Sequence, residues 1–268
     1  MKTATWDRVV HHVDGTPLGP EPLRGLIEGD HAVVVLKGLL PDEVLTSQRE
    51  RIFTLFDKAN TTRYVNGQLT IIGLYLVKYL SHVDDYFRDA RDAEALTASA
   101  SVDLAARTRE ALRRTFGMRR FDVAVEPDGR RYASSNIRIY ADTVDTPLHN
   151  DHIARDAASH GLLLSGLKHQ LSCVVCLQEC DGGGELTVYR KPWEPADEKF
   201  KIPGGLGYDL GVVEGLPKHQ FKPQAGDVYI LNPTNFHAIE RVYGADRLTL
   251  GFFFGFFDDV LEEGVAWI

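Results

Sequence analysis

The hydrophobic period of this chain changes once, near Phe121, and that change limits the folds open to it. Upstream, apolar residues recur three and four apart. Val44, Leu45, Ile52, Phe53 and Phe56 predict a helix from Pro41 to about Lys58, and similar patterns cover Leu74 to Tyr86 and Ala93 to Phe116, ending at Gly117. A short amphipathic stretch runs from Pro20 to Glu28, and His31 to Lys37 reads as a buried strand between Gly29 and Gly38. Downstream, strands are predicted at Phe121–Val125, Asn136–Tyr140, Leu171–Glu179, Glu185–Arg190, Asp227–Leu231, His237–Val242 and Arg247–Phe257. Each is bounded by Gly, Pro, Asn or Asp. Short strands following helices imply an α+β chain with a two-sheet jelly-roll core. We expect one domain over 1–268, with 1–120 mainly helical support and 121–268 the core. The Pro-, Gly- and charge-rich segment at about 191–215 should be an insert over one mouth of the barrel.

Composition narrows the partners. With 30 Lys plus Arg against 38 Asp plus Glu, the formal net charge of -8 is a poor match for nucleic acid or an anionic membrane. The longest apolar stretch, Leu69 to Leu80, is interrupted by Gly73 and Lys78, and falls short of the roughly 20 residues of a membrane span. Met1 to Arg8 lacks a secretory pattern, so a cytoplasmic location is expected. Cys173, Cys176 and Cys180 make a poor disulfide framework. On one strand, Cys173 and Cys176 would face opposite sheet surfaces and pack in the core rather than share a metal.

The sharpest motif is Pro147-Leu148-His149-Asn150-Asp151. Residues i and i+2 of an extended segment face one way, so His149 and Asp151 can offer an imidazole and a carboxylate to one point. His237 opens a later strand, and an antiparallel neighbour in a closed barrel would carry it there. Two histidines and a carboxylate on one face of a metal leave the other face free for substrates, the arrangement of non-haem Fe(II) oxygenases. Arg247 and Thr249 follow on the next strand, also i and i+2. A guanidinium fork beside a hydroxyl suits the distal carboxylate of a 2-oxo acid chelating that iron.

In these residues the chain resembles the Fe(II)- and 2-oxoglutarate-dependent dioxygenase superfamily: an H-x-D, a distal His and an R-x-T about ten residues on. Gly183-Gly184-Glu185-Leu186-Thr187-Val188-Tyr189 is similar to the glycine-rich strand between the two ligand motifs of that superfamily, and Gly226-Asp227 to the turn before the distal His. The nearest likeness is to carrier-independent halogenases and hydroxylases of alkaloid and amino-acid metabolism. The resemblance implies a double-stranded β-helix and iron held by His149, Asp151 and His237. It also implies 2-oxoglutarate held by Arg247, Thr249 and Tyr140, with O2 as oxidant. Where the halogenases carry Gly or Ala to admit chloride, Asp151 stands here. Hydroxylation of an aliphatic C–H of a small molecule is therefore implied, with release of succinate and CO2. Desaturation or cyclisation is the alternative chemistry, and a non-catalytic sensor of 2-oxoglutarate or metal the alternative class. Tyr64, Asn66, Tyr75, Arg155 and Trp193 are available to line a pocket. Arg138 shares Tyr140's face and either contacts a ligand or forms a salt bridge. His152 should point away from Asp151.

Overall fold

All ten residues of Arg247–Phe256 are buried, which requires cover on both faces of the strand they form. The computed structural model, describing residues 6–268, supplies that cover with helices on one side and a second sheet on the other. The first half holds β1 (Arg8–His12), α1 (Glu21–Ile27), β2 (Val33–Lys37), α2 (Asp42–Phe53), β3 (Asn60–Tyr64), β4 (Gly67–Ile72), α3 (Val83–Ser99), α4 (Leu104–Phe116) and β5 (Arg120–Val123). The second holds β6 (Asn136–Tyr140), β7 (Thr146–His149), the one-turn α5 (Ile153–Asp156), β8 (His169–Gln178), β9 (Gly182–Gly183) and β10 (Leu186–Pro192). It continues with β11 (Lys218–Phe221), β12 (Val228–Leu231), β13 (Asn235–Ile239), β14 (Val242–Tyr243), β15 (Arg247–Phe256) and β16 (Glu263–Trp267).

The large sheet runs β1-β2-β12-β8-β15-β6-β4-β3, with β16 on β15 and β5 on β16, and the small sheet runs β11-β10-β13-β7. Together they form the expected α+β double-stranded β-helix. Alternation along each central strand sorts the core into two layers. Val34, Leu36, Cys173, Val175, Leu250 and Phe254 pack with residues of α1, α2 and α4. Val33, Val35, Val174 and Tyr229, of opposite parity, meet Leu186, Val188 and Ile239 of the small sheet.

Four expectations need correction. The segment 1–120 is less helical than its pattern suggested, because β1, β2, β3 and β4 all join the large sheet. Leu74 to Tyr86 is a short 3₁₀ turn, Leu76–Tyr79, followed by the start of α3. The expected helix Ala93 to Phe116 breaks at Ser101, which adopts φ 55°. Local propensity does not mark this break; buried Gln48 fixes it by accepting a 3.0 Å hydrogen bond from the Asp103 N–H. Nor do hydrogen bonds close the two sheets into a barrel among the described residues; they face each other as separate sheets.

The segment after β10 folds back over the small sheet through two 3₁₀ turns, Pro195–Phe200 and Leu210–Val213. Its apolar residues Tyr208, Val212 and Val213 cover Leu148 and Phe236. Asn66 grips Leu206 by two reciprocal 2.8 Å hydrogen bonds, and the Tyr208 N–H donates to Leu148 O at 2.8 Å. Gly207 lies between them with φ +75°, and a β-carbon there would sit 1.9 Å from Leu148 O.

Two outcomes follow. Phe254→Ala removes a fully buried ring and should cost about 3–5 kcal/mol in denaturant unfolding; a loss below about 1 kcal/mol would show the layer to be loosely packed. Gly207→Ala should cost more than about 1 kcal/mol and lift the segment from β7, speeding tryptic cleavage at Lys199 and Lys201. Unchanged cleavage would mean that the contact at Leu148 is not what holds the segment.

Candidate metal centre

His149 ends β7 and His237 lies in β13, and the two are direct partners in the antiparallel register of the small sheet. Their rings are 4.2 Å apart between centroids. Just past β7, Asp151 is fixed by its backbone N–H, which donates to Pro233 O at 2.9 Å. Its Oδ2 lies 3.7 Å from Nε2 of each histidine. One donor atom from each of the three residues falls within 4.8 Å of the others.

Hydrogen bonding sets the chemistry of these groups. His149 Nδ1 is 2.8 Å from Pro147 O and His237 Nδ1 is 2.9 Å from Asn235 O. A carbonyl can only accept, so each Nδ1 carries the proton and each Nε2 presents a lone pair toward the other and toward Asp151. Burial, and then the neighbouring His149, holds the His237 pKa well below the usual imidazole range. Neutral nitrogen donors with one carboxylate fit a divalent first-row metal.

Across the gap, β15 and β6 of the large sheet place Arg247 opposite Tyr140 and Thr249 opposite Arg138. A register shift between Leu248 and Thr249, where β15 pairs with β8, marks this point, and such bulges are common beside active sites. Arg247 is 2% exposed; its Nη2 donates to Tyr229 Oη at 2.9 Å and its guanidinium lies 5.0 Å from the Tyr140 ring centroid. Burial pushes the Tyr229 phenol up to about 12, with Arg247 opposing, so Tyr229 stays a neutral partner. Arg247 Nε and Thr249 Oγ1 are buried with no hydrogen-bond partner among the described residues. Unmatched buried donors beside a fixed positive charge fit an anionic group such as a carboxylate. Gly184 makes this berth possible, since with φ +74° its β-carbon would lie 2.6 Å from Cys180 Sγ and 3.3 Å from Arg247 Cδ.

A cavity of about 120 Å³ opens on His149 and Asp151, with Arg138 and Tyr140 on its sheet wall and Tyr64 and Tyr75 on the other. Of the residues named as available for a pocket, Tyr64 and Tyr75 line it. Asn66 instead anchors Leu206, which does. Arg155 and Trp193 stack on each other at 4.5 Å outside the cavity, with Arg155 Nη1 donating to Asn150 Oδ1 at 2.8 Å. His152 precedes α5 and lines a small cleft with Asp151, Tyr75 and Trp267, which adjoins the cavity at Asp151 and Tyr75. Cys173 packs toward the helices, while Cys176 lies against Pro223 O, on opposite faces as expected. Sequence reasoning missed Tyr229, Lys78 and Leu206. Tyr229 alternates with Val228 and Ile230, and that parity was the available signal.

The chain matches the family described as carrier-protein-independent halogenase WelO5 over residues 9–262. Among curated proteins, it is 29% identical over 149 residues to leucinostatins biosynthesis cluster protein S of Purpureocillium lilacinum, covering 53% of this chain and 59% of that one. It is 30% identical over 175 residues to L-gamma-glutamyl-L-propargylglycine hydroxylase of Streptantibioticus cattleyicolor, covering 64% of this chain and 63% of that one. The matched region thus spans less than two thirds of either relative. In fold, it resembles an N-substituted L-amino acid dioxygenase from Burkholderia ambifaria, with a TM-score of 0.59, 17% identity, and coverage of 92% of this chain and 90% of that one. No helix among the described residues is long and apolar enough to cross a membrane. A match running through nearly the whole jelly roll, from β1 to the turn before β16, places the chain in the carrier-protein-independent halogenase WelO5 family.

Proposed function

We propose that the chain is an Fe(II)- and 2-oxoglutarate-dependent oxygenase that hydroxylates an aliphatic C–H of a small molecule, an amino acid or secondary metabolite. One observation carries this reading: the His149, Asp151 and His237 cluster shares an intersheet space with the unmatched buried donors of Arg247 and Thr249. His149 and His237 would hold the metal through Nε2 and Asp151 through a carboxylate oxygen. Arg247 and Thr249 would take the distal carboxylate of 2-oxoglutarate, with the Tyr140 ring and the Tyr229 hydroxyl keeping the guanidinium in place. Iron bound there, with 2-oxoglutarate and O2, supplies the oxidising chemistry: succinate and CO2 leave, and one oxygen atom of O2 enters the product as hydroxyl. Val174, Leu231 and Val188, packed between the sheets, keep water from the buried end of the site.

Hydroxylation is favoured over halogenation by Asp151. Its carboxylate sits 3.7 Å from both Nε2 atoms, so it fills the position and supplies the negative charge that a halide would bring. The hydroxylase named among the relatives supports the same outcome.

The test is anaerobic addition of Fe(II) and 2-oxoglutarate, which should produce a visible metal-to-ligand charge-transfer band, followed by succinate release under O2. His149→Ala, Asp151→Ala and His237→Ala should each abolish the band with circular dichroism unchanged; a full band in any one removes that residue from the ligand set. Arg247→Ala should raise the 2-oxoglutarate requirement by roughly 30-fold or more, the loss typical of truncating a buried charged pair. An unchanged requirement would assign the distal carboxylate to other residues. Products formed in chloride and bromide buffers should carry hydroxyl, and a halogenated product would exclude Asp151 as a ligand.

A further inference from the structure

We infer that the substrate carries a carboxylate and that Arg138, assisted by Lys78, is what recognises it. This inference rests on the iron-oxygenase reading above and names the substrate class of that site.

Arg138 and Arg247 are neighbours on the inner face of the large sheet but stand at different ends of the same intersheet space. Arg247 is at the buried end, against the Tyr140 ring, whereas Arg138 lines the cavity together with Tyr140, His149 and Asp151. Arg138 leans across β15 at its glycine: a β-carbon on Gly251 would lie 3.4 Å from Arg138 Nη2. The Tyr75 ring caps it from above, 5.3 Å from the guanidinium carbon. Sheet, glycine and ring therefore fix the plane of the fork, which is what bidentate recognition of a carboxylate requires.

Among the described residues no carboxylate lies within 4.0 Å of an Arg138 nitrogen; its polar neighbours are Asn136 Oδ1 at 3.4 Å and the Tyr140 hydroxyl. The alternative of a structural salt bridge is thus absent. Lys78 lies in the same cavity wall, its Nζ donating to Thr62 Oγ1 at 2.8 Å and standing 5.8 Å from the Tyr64 centroid, again without a carboxylate. Asp151 is the cavity's only acidic residue among those described, and its charge would be taken up by the metal. Two half-buried cations without a carboxylate partner in so small a space favour an anion and disfavour a cationic or purely apolar ligand. Leu69, Val77 and Leu206 supply the apolar wall against which the carbon to be oxidised would lie.

The probes are L-amino acids, their N-acetyl derivatives and γ-glutamyl dipeptides, each paired with its carboxamide, added anaerobically to the Fe(II)·2-oxoglutarate complex. The charge-transfer band should shift with one or more acids and at least 30-fold more weakly with the matching amide. In Arg138→Gln the band should still form at the same 2-oxoglutarate concentration while the acid-induced shift is lost, and Lys78→Gln should weaken the shift to a lesser degree. Four results would overturn the inference: equal response to acid and amide, silence across all the acids, an acid response that survives in Arg138→Gln, or a raised 2-oxoglutarate requirement in Arg138→Gln, which would assign Arg138 to the co-substrate. A wild-type protein that forms no band before any probe is added would instead reject the oxygenase reading itself.

Discussion

Burial of β15 on both faces is the constraint on which the rest of this structure depends. Leu248, Leu250, Phe252 and Phe254 go to the helical layer, which leaves Arg247, Thr249 and Gly251 facing the small sheet. A strand with one purely apolar face can afford polar residues on the other only if a second sheet covers them, because unmatched buried donors are costly. The helical layer, the small sheet and the polar site between the sheets are thus three consequences of one alternating strand. Its apolar face anchors the strand so firmly that Arg247 can remain unpaired by any carboxylate among the described residues and still be fixed in position.

Much of this was readable in the residues, and the exceptions have identifiable causes. His149, Asp151 and His237 could be brought together on paper because i and i+2 share a strand face and because β7 and β13 are antiparallel neighbours. β3 and β4 lie in a stretch left unassigned between the patterns read as helices at Pro41 to Lys58 and Leu74 to Tyr86, although Asn66-Gly67 at their turn is a hairpin signal. Pro147 disguised β7, since proline within a run argues against a central strand; β7 tolerates it as the edge of the small sheet. The break at Ser101 is set by Gln48, some fifty residues earlier, and no local pattern could reveal it.

The cavity was the least legible part. Its walls come from β4, the 3₁₀ turn at Leu76–Tyr79, β6, β7 and the segment carrying Leu206, which are distant in sequence and meet only through the topology. Tyr64 and Tyr75 were among the residues named, but Arg155 and Trp193, equally suitable by type, pair with each other outside. Periodicity predicts which face a side chain takes; it does not predict which loop crosses that face.

Both histidines of the candidate metal cluster are oriented by carbonyls of their own strands, two residues upstream in each case. Many metal sites depend instead on a neighbouring carboxylate to fix the ring, and changing that neighbour alters the metal. Here the outer support is backbone, which no side-chain substitution removes. The walls of the cavity can consequently be exchanged without disturbing how the imidazoles are aimed. Ligation and substrate choice are thereby separable in this architecture, so one metal cluster can serve chains that accept quite different molecules.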